Sequence, residues 1–168
     1  AAGEAALTRL SWEGEPVVQR EPPLQRFGGA SVVLPPGAFL QATQAGEAAL
    51  LAAVTEATRG AARIVDLFAG CGTFALPLAG VAEVHAVEGD KTMIAALLAG
   101  ARKAPGLRRV TGEARDLFRR PLLPDELTSF DAAVIDPPRA GAEVQTAALA
   151  RSGLKRIAAV SCNPVTFA

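Results

Sequence analysis

The chain has 168 residues, with 17 basic against 17 acidic side chains, 50% hydrophobic residues and 5% aromatic ones. That length suits one compact domain burying roughly 70% of the surface its unfolded chain exposes, and the composition excludes collagen-like, coiled-coil and disordered classes. Zero net charge argues against a protein that coats nucleic acid by electrostatics alone, and the longest uncharged stretch, residues 27–46, is too broken by Pro35, Pro36, glycines and Gln41 to span a bilayer.

Short apolar runs cut by Gly and Pro open the chain: Leu7 to Trp12, Val17 to Gln19 and Ser31 to Leu34 read as strands or hairpins at a domain's edge. Residues 1–45 are accordingly expected to form a β-rich extension. Leu50, Leu51 and Val54 then recur at helical spacing, so a helix is expected from Gly46 to Arg59, ended by Gly60. Beyond it, apolar runs at Ile64 to Phe68, Val84 to Val87, weakly at Val110, Ala132 to Ile135 and Ile157 to Val160 alternate with Ala-rich helical stretches. Those stretches are Thr73 to Ala79, Lys91 to Lys103 and Glu143 to Ser152. Short unbroken apolar strands alternating with helices indicate parallel βαβ units. The expected class over residues 46–168 is therefore α/β, doubly wound.

In an open parallel sheet, ligands bind beyond the carboxyl ends of the strands. The first motif there is Asp66-Leu67-Phe68-Ala69-Gly70-Cys71-Gly72-Thr73-Phe74-Ala75. Gly70 and Gly72 permit a tight turn and let a ligand lie against bare backbone, while the following helix offers unpaired N–H groups. The spacing Gly70-x-Gly72-x-x-Ala75 signals a nucleoside cofactor without deciding which one. Glu88, at the end of the next strand, is placed to accept the ribose hydroxyls of an adenosine-containing cofactor, and Asp116 after the weak third strand to meet an adenine amino group. After the fourth strand, two prolines in Asp136-Pro137-Pro138-Arg139-Ala140-Gly141 hold the backbone extended and display Asp136 at the strand end. After the fifth comes Ser161-Cys162-Asn163-Pro164. Asn163 is a good N-cap and Pro164 a good first helical residue, so Cys162 is expected just ahead of a helix N-terminus, where the nucleophilic thiolate is favoured.

The remaining polar groups read as structural. Cys71 is expected to be a tolerated small residue of the turn, too far from Cys162 to bridge, since a third strand would lie between theirs. His85, the only histidine, sits inside a strand and is expected to be structural, which leaves no visible base for Ser-His or Cys-His chemistry. Two cysteines are too few for a disulfide scaffold or a four-thiolate metal site, so no metal is expected and a cytoplasmic setting is favoured. The first residues show no secretory signal. Residues 102–120 carry Arg102, Lys103, Arg108, Arg109, Arg115, Arg119 and Arg120 against Glu113 and Asp116, a balance of +5. This run is either a solvated surface or a basic face for RNA.

Taken in this order, the motifs resemble the uracil-5 RNA methyltransferases, the S-adenosylmethionine-dependent enzymes that make 5-methyluridine in ribosomal and transfer RNA. The resemblance covers roughly residues 35–168 and is most specific in Asp136-Pro-Pro-Arg-Ala-Gly141 and Ser161-Cys-Asn-Pro164. It implies a Rossmann-like class I methyltransferase fold, S-adenosyl-L-methionine as cofactor and an RNA substrate. It further implies that Cys162 is the nucleophile and Asp136 an active-site carboxylate beside the cofactor and target base. Gln41, in Pro36-Gly-Ala-Phe-Leu-Gln41, matches a glutamine contacting the cofactor region. Phe68 and Thr73 match cofactor-contacting positions, Glu88 the ribose ligand and Asp116 the adenine contact.

The family's proton-removing glutamate and last strands lie beyond Ser-Cys-Asn-Pro, and its N-terminal RNA-binding barrel has no counterpart, so the chain is read as the central part of a longer enzyme. Four other readings are weighed. An amino-directed methyltransferase is expected to carry an aromatic residue after Asp-Pro-Pro, where this chain has Arg139. A cytosine-5 enzyme is expected to carry a second cysteine after the fourth strand, and none stands there. An NAD-binding domain would leave Cys162 without a role. A non-catalytic RNA-binding remnant would rest on the arginines of residues 102–120.

Overall fold

The computed structural model describes residues 7–163. Two antiparallel hairpins lead the chain. Strands β1 (Arg9–Trp12) and β2 (Glu15–Gln19) are joined through Glu13 and Gly14, whose φ angles of 49° and 85° match the twist of a two-residue hairpin turn. Strands β3 (Leu24–Phe27) and β4 (Ala30–Val33) form the second hairpin. No strand was expected over residues 24–27, where only Leu24 and Phe27 are apolar and Pro22 and Pro23 precede them. The first hairpin is largely exposed, with Trp12 at 73%. The second is not: Phe27, Ala30 and Val32 belong to the same buried cluster as Val54 and Leu97. A Cβ at Gly100 of helix α3 (Lys91–Lys103) would come within 2.7 Å of the Val32 side chain, so glycine there lets hairpin and helix close up. The sequence pattern changes at residue 45, whereas the core already begins at Phe27.

Helix α1 (Gln44–Ala57) starts two residues earlier than expected, because the Thr43 hydroxyl caps it by accepting from the Gly46 amide at 3.1 Å. There follow β5 (Arg63–Leu67), α2 (Ala75–Leu78), β6 (Glu83–Glu88), α3, β7 (Val110–Ala114), α4 (Pro124–Leu127), β8 (Ala132–Ile135), α5 (Glu143–Arg151) and β9 (Ile157–Ala159). Helix α2 is shorter than expected, since the glycine turn takes up the chain as far as Phe74. The five strands pair in the order β7-β6-β5-β8-β9, every pair parallel.

Helices cover both faces. Ile64, Val84 and Val134 face the cluster packed by α1, α2 and α3, and Val65, Val87 and Ala133 face the cluster packed by Leu127 and Leu149 of α4 and α5. This is the Rossmann-like class I arrangement. The chain runs outward through β5, β6 and β7 and then returns to the other side of β5. The switch point therefore falls between β5 and β8, where the carboxyl ends open a crevice. The glycine turn and Asp136 stand on either side of it.

Candidate active site

At the end of β5 the backbone leaves the sheet abruptly. Phe68 has a φ of 62°, a left-handed conformation costly for a bulky side chain, and Gly70 and Gly72 follow at 54° and 101°. The two glycines serve different ends. A Cβ at Gly70 would meet nothing within 4 Å, so this position lies open to a ligand. A Cβ at Gly72 would meet Leu76 at 2.8 Å and Leu97 at 3.0 Å, so its bare backbone packs against the protein's own core. Gly72 thus needs to be glycine for packing as well as for its positive φ. Half-buried Thr73 leads into α2.

Glu88 closes the turn from β6. Its Oε2 accepts from the Gly70 amide at 2.9 Å and its Oε1 from the Asp90 amide at 2.9 Å. A carboxylate has about four acceptor sites, so two amides leave capacity for a diol. Cys71 is buried, and burial with Glu88 and Asp90 nearby pushes its thiol up to about 11, which suits an inert packing residue. Past β7, Asp116 Oδ1 accepts from the Phe118 amide at 3.0 Å and the Arg119 amide at 3.2 Å, ordering the turn that carries Phe118. The rings of Phe68 and Phe118 pair at 5.4 Å, tilted by 56°, beside this edge of the crevice.

Across the switch point, Asp136 is drawn toward two other segments. Gln41 Nε2 donates to Asp136 Oδ2 at 3.3 Å, joining residues far apart in sequence, and burial raises the Asp136 carboxyl above its ordinary range. Three residues on, the Arg139 carbonyl accepts from Asn163 Nδ2 at 3.3 Å. That bond ties the loop after β8 to the loop after β9, where Cys162 is exposed. The helix expected to start at Pro164 lies outside the described residues. Cys71 and Cys162 follow β5 and β9, which are separated by β8, and both are free.

Asp66 opens the glycine motif, and its place there gives it no role in the sequence. It is fully buried at the end of β5, and neither carboxyl oxygen has a hydrogen-bond partner. The available signal was a lone charge inside the apolar run Ile64 to Phe68. Desolvation, then repulsion from Asp136, raises it to about 8. Among the described residues no group of acidic, His or Cys side chains is placed to hold a metal ion, and no helix is long and apolar enough to cross a membrane. A buried carboxyl without a counter-charge, an open glycine and strand-end acids fit an organic cation carrying a diol.

The basic run of residues 102–120 is not one face. Arg102, Lys103, Arg108 and Arg109 precede β7, and Arg115, Arg119 and Arg120 follow it, so roughly 20 Å of strand separates the two groups. Arg115 also turns inward. Its guanidinium bonds Glu126 at 2.7 and 3.0 Å and the carbonyls of Arg120 and Pro121, each at 2.7 Å, and its side chain is only 14% exposed. It spends four of its five N–H donors on folding the loop, which leaves one to offer RNA. His85 is half-buried, bonded through Nδ1 to Thr111 Oγ1 at 2.8 Å and stacked on Phe130, far from the crevice.

Residues 33–168 match the family described as tRNA (uracil-5-)-methyltransferase. The chain belongs to this family. An uncharacterised RNA methyltransferase of Mesorhizobium japonicum is 56% identical over 96% of this chain and 39% of its own length. The 23S rRNA (uracil(1939)-C(5))-methyltransferase RlmD of Chromohalobacter salexigens is 40% identical over 79% of this chain and 28% of its own length. The chain therefore spans about two fifths or less of these curated relatives. Among solved structures, the Pyrococcus abyssi tRNA (uracil-54, C5)-methyltransferase in complex with S-adenosyl-L-homocysteine superposes with a TM-score of 0.75 at 25% identity, over 92% of this chain and 38% of that one.

Proposed function

We propose that the protein transfers a methyl group from S-adenosyl-L-methionine to carbon 5 of a uridine in ribosomal or transfer RNA, through a covalent adduct with Cys162. The observation that carries this reading is the bracing of the Asp136–Arg139 segment, by Gln41 on one side and Asn163 on the other, beside the exposed Cys162. Family membership supports it, as do the rRNA and tRNA uracil-5 enzymes among its relatives.

Each residue then has a task. Gly70 and Glu88 hold the adenosine, with Phe68, Thr73 and Asp116 lining its path, and Asp136 with Gln41 faces the reacting end. Uracil C5 is a poor nucleophile. Addition of the Cys162 thiolate to C6 pushes an electron pair onto the ring and gives an enolate whose C5 carries the nucleophilic density. When bound, S-adenosylmethionine supplies the activated methyl group that C5 takes. A base then removes the C5 proton, the C5–C6 double bond re-forms and the thiolate leaves. An intrahelical base is hard to reach, so the target is expected in a loop or flipped from its stack.

RNA bearing 5-fluorouridine tests this, because fluorine cannot leave as a proton and the adduct is trapped. The protein in its full natural length should form a denaturation-resistant complex with that RNA and should convert unmodified RNA to 5-methyluridine. Cys162→Ala should lose both, with cofactor affinity changed by no more than a few-fold. Normal methylation with Ala at position 162 would overturn covalent uracil-5 chemistry.

A further inference from the structure

The loop that leaves β7 carries Asp116 and Phe118, and its own backbone does little to hold them. The Arg115 amide donates to the Glu88 carbonyl at 2.8 Å, and one turn closes where the Arg120 amide donates to the Asp116 carbonyl at 2.8 Å. At the far end, buried Gln145 of α5 clasps Leu122. Its Oε1 accepts from the Leu122 amide at 2.8 Å and its Nε2 donates to the Leu122 carbonyl at 3.2 Å. Both ends of the loop are thus attached to the fold without the Arg115 side chain. That side chain acts on what lies between them. Its Nε donates to the Arg120 carbonyl and its Nη2 to the Pro121 carbonyl, while both oxygens of Glu126 on α4 brace the fork from behind. Glu126 also accepts from the Leu123 amide at 2.8 Å, and Glu113 stands 3.8 Å from Nη1. A planar fork with five fixed donors can hold two carbonyls and a carboxylate together, whereas a lysine ammonium has three donors and no fork.

We propose that Arg115 is a positioning residue for cofactor binding: by pinning the Arg120 and Pro121 carbonyls against α4, it fixes the loop that presents Asp116 and Phe118 to the adenine end of S-adenosyl-L-methionine. The proposal rests on the cofactor reading above and deepens it. Phe118 is 52% exposed and its ring meets Phe68 at 5.4 Å, so the loop, more than the core, sets where that ring stands. A loop fixed before the ligand arrives loses less freedom on binding, and the difference appears as affinity. Glu126 makes the clamp permanent. The Arg115 side chain, and then the Leu123 amide, hold the Glu126 carboxyl down to about 2, so the pair stays ionised at any ordinary pH. Asp136 and Cys162 follow strands three and four places away from β7. Loosening the clamp should therefore weaken cofactor binding and leave the bound complex as reactive as before.

Arg115→Met and Arg115→Lys in the full-length protein test this, read by calorimetric titration with S-adenosylhomocysteine and by steady-state methylation of RNA. Both variants should bind S-adenosylhomocysteine about tenfold more weakly and raise KM for S-adenosylmethionine by the same factor, with kcat within about twofold of the parent. Lysine should not rescue, because the fork and not the charge does the holding. Methylthioadenosine, which keeps the adenosine and lacks the amino-acid tail, should lose affinity by the same factor. Hydrogen exchange at the Phe118 and Arg119 amides, both bonded to Asp116, should quicken, while exchange in β5 and β8 keeps the parent's rate. Unchanged affinity in both variants, full rescue by lysine, a fall in kcat with KM unmoved, or equal quickening in β5 and β8 would overturn the proposal and leave the cofactor reading standing. A parent that binds no S-adenosylhomocysteine would remove both. Should neither Arg115 variant fold, Glu126→Gln keeps the two loop carbonyls bonded and weakens only their brace. It should raise KM in the same direction by a smaller factor, and a KM equal to the parent's would overturn the proposal.

Discussion

The two rims of the sheet are built from the same five strands and treat charge in opposite ways. At the amino-terminal rim, the order β7-β6-β5-β8-β9 brings Arg109, Glu83, Arg63, Asp131 and Arg156 side by side, so the sign alternates from strand to strand. All five are exposed, and Asp131 is further tied down by accepting from the Ala62 and Arg63 amides at 2.9 and 2.8 Å. At the carboxyl-terminal rim the same order yields Asp116, Glu88, Asp66, Asp136 and then Cys162, four acids of one sign and a thiol. Screened, alternating charges cost the fold little and return little, about 0–1 kcal/mol per exposed pair. At this rim Asp66 is raised by burial and then by the charges of Asp136 and Glu88, and a carboxyl so desolvated opposes folding until a ligand resolves it. The rim that works against stability is the one proposed to bind.

The sharpest way to break this contrast is to remove its most costly member. In the ligand-free protein, Asp66→Asn should raise the unfolding free energy at pH 7 by about 2–4 kcal/mol, since holding a proton against a carboxyl's ordinary pKa costs 1.36 kcal/mol per unit. The folded carboxyl is raised from 3.8 to about 8, so its contribution to stability is fully present below pH 4 and is lost as pH rises through 8. The stability difference between variant and parent should therefore grow from pH 4 to 8 and then level off. Denaturant melts at half-unit intervals would show it, and a difference independent of pH would mean that Asp66 is ionised throughout. No comparable gain is expected from neutralising Arg63, Glu83 or Arg109.

A smaller effect separates the two glycines of the turn. Gly72→Ala sets a methyl against Leu76 at 2.8 Å and Leu97 at 3.0 Å in a backbone of φ 101°, and should destabilise by about 2–4 kcal/mol through overpacking and strain. Gly70→Ala has open space and φ 54°, so its cost should be about 1 kcal/mol. Its larger effect should be on cofactor affinity. Equal losses of stability would show that the turn is one rigid unit with no side reserved for a ligand.

Much of this architecture was legible because its signals are local or periodic. Helix α3 keeps both expected ends, since the Asp90 carboxylate caps it by accepting from the Thr92 and Met93 amides at 2.7 and 3.3 Å. Strand β8 does too, as four buried apolar residues. The glycine turn, Glu88, Asp136 and Cys162 could be assigned to one rim because each follows a strand and the strands are parallel. What stayed hidden depends on partners distant in sequence. Strand β3 has too little apolar pattern to announce itself and is a strand because β4 and α3 lie beside it. Asp66 stands inside the apolar run Ile64 to Phe68, but nothing in the chain says that both its oxygens lack donors. Arg115 reads as one more basic residue until Glu126 is found against it.

The smallest effect concerns RNA, and it turns on the same two rims. Seven basic residues lie close together between positions 102 and 120, yet β7 divides them. Arg119 and Arg120 stand on the rim with Cys162, and the Arg119 side chain is 88% exposed with only a 3.6 Å contact to Asp116. Arg108 and Arg109 stand on the opposite rim, where the Arg108 amide bonds the Ala79 carbonyl at 2.7 Å and the Arg109 carbonyl accepts from Val84 at 3.0 Å. Arg119 and Arg120 follow β7 and Cys162 follows β9, roughly 19 Å apart across four strand spacings of one rim, so an RNA whose target base reaches Cys162 meets the first pair with phosphates a few nucleotides away. Neutralising Arg119 and Arg120 together in the full-length protein should flatten the slope of log affinity against log salt by roughly 1.4–1.8, the release expected for two phosphates. Neutralising Arg108 and Arg109 should leave the slope within error of the parent, although it removes the same charge. A uniform electrostatic attraction would make the two double variants equal, and that result would reduce the basic run to a solvated surface. A change confined to Arg108 and Arg109 would put the RNA on the wrong rim for Cys162, and the covalent mechanism would fall with it.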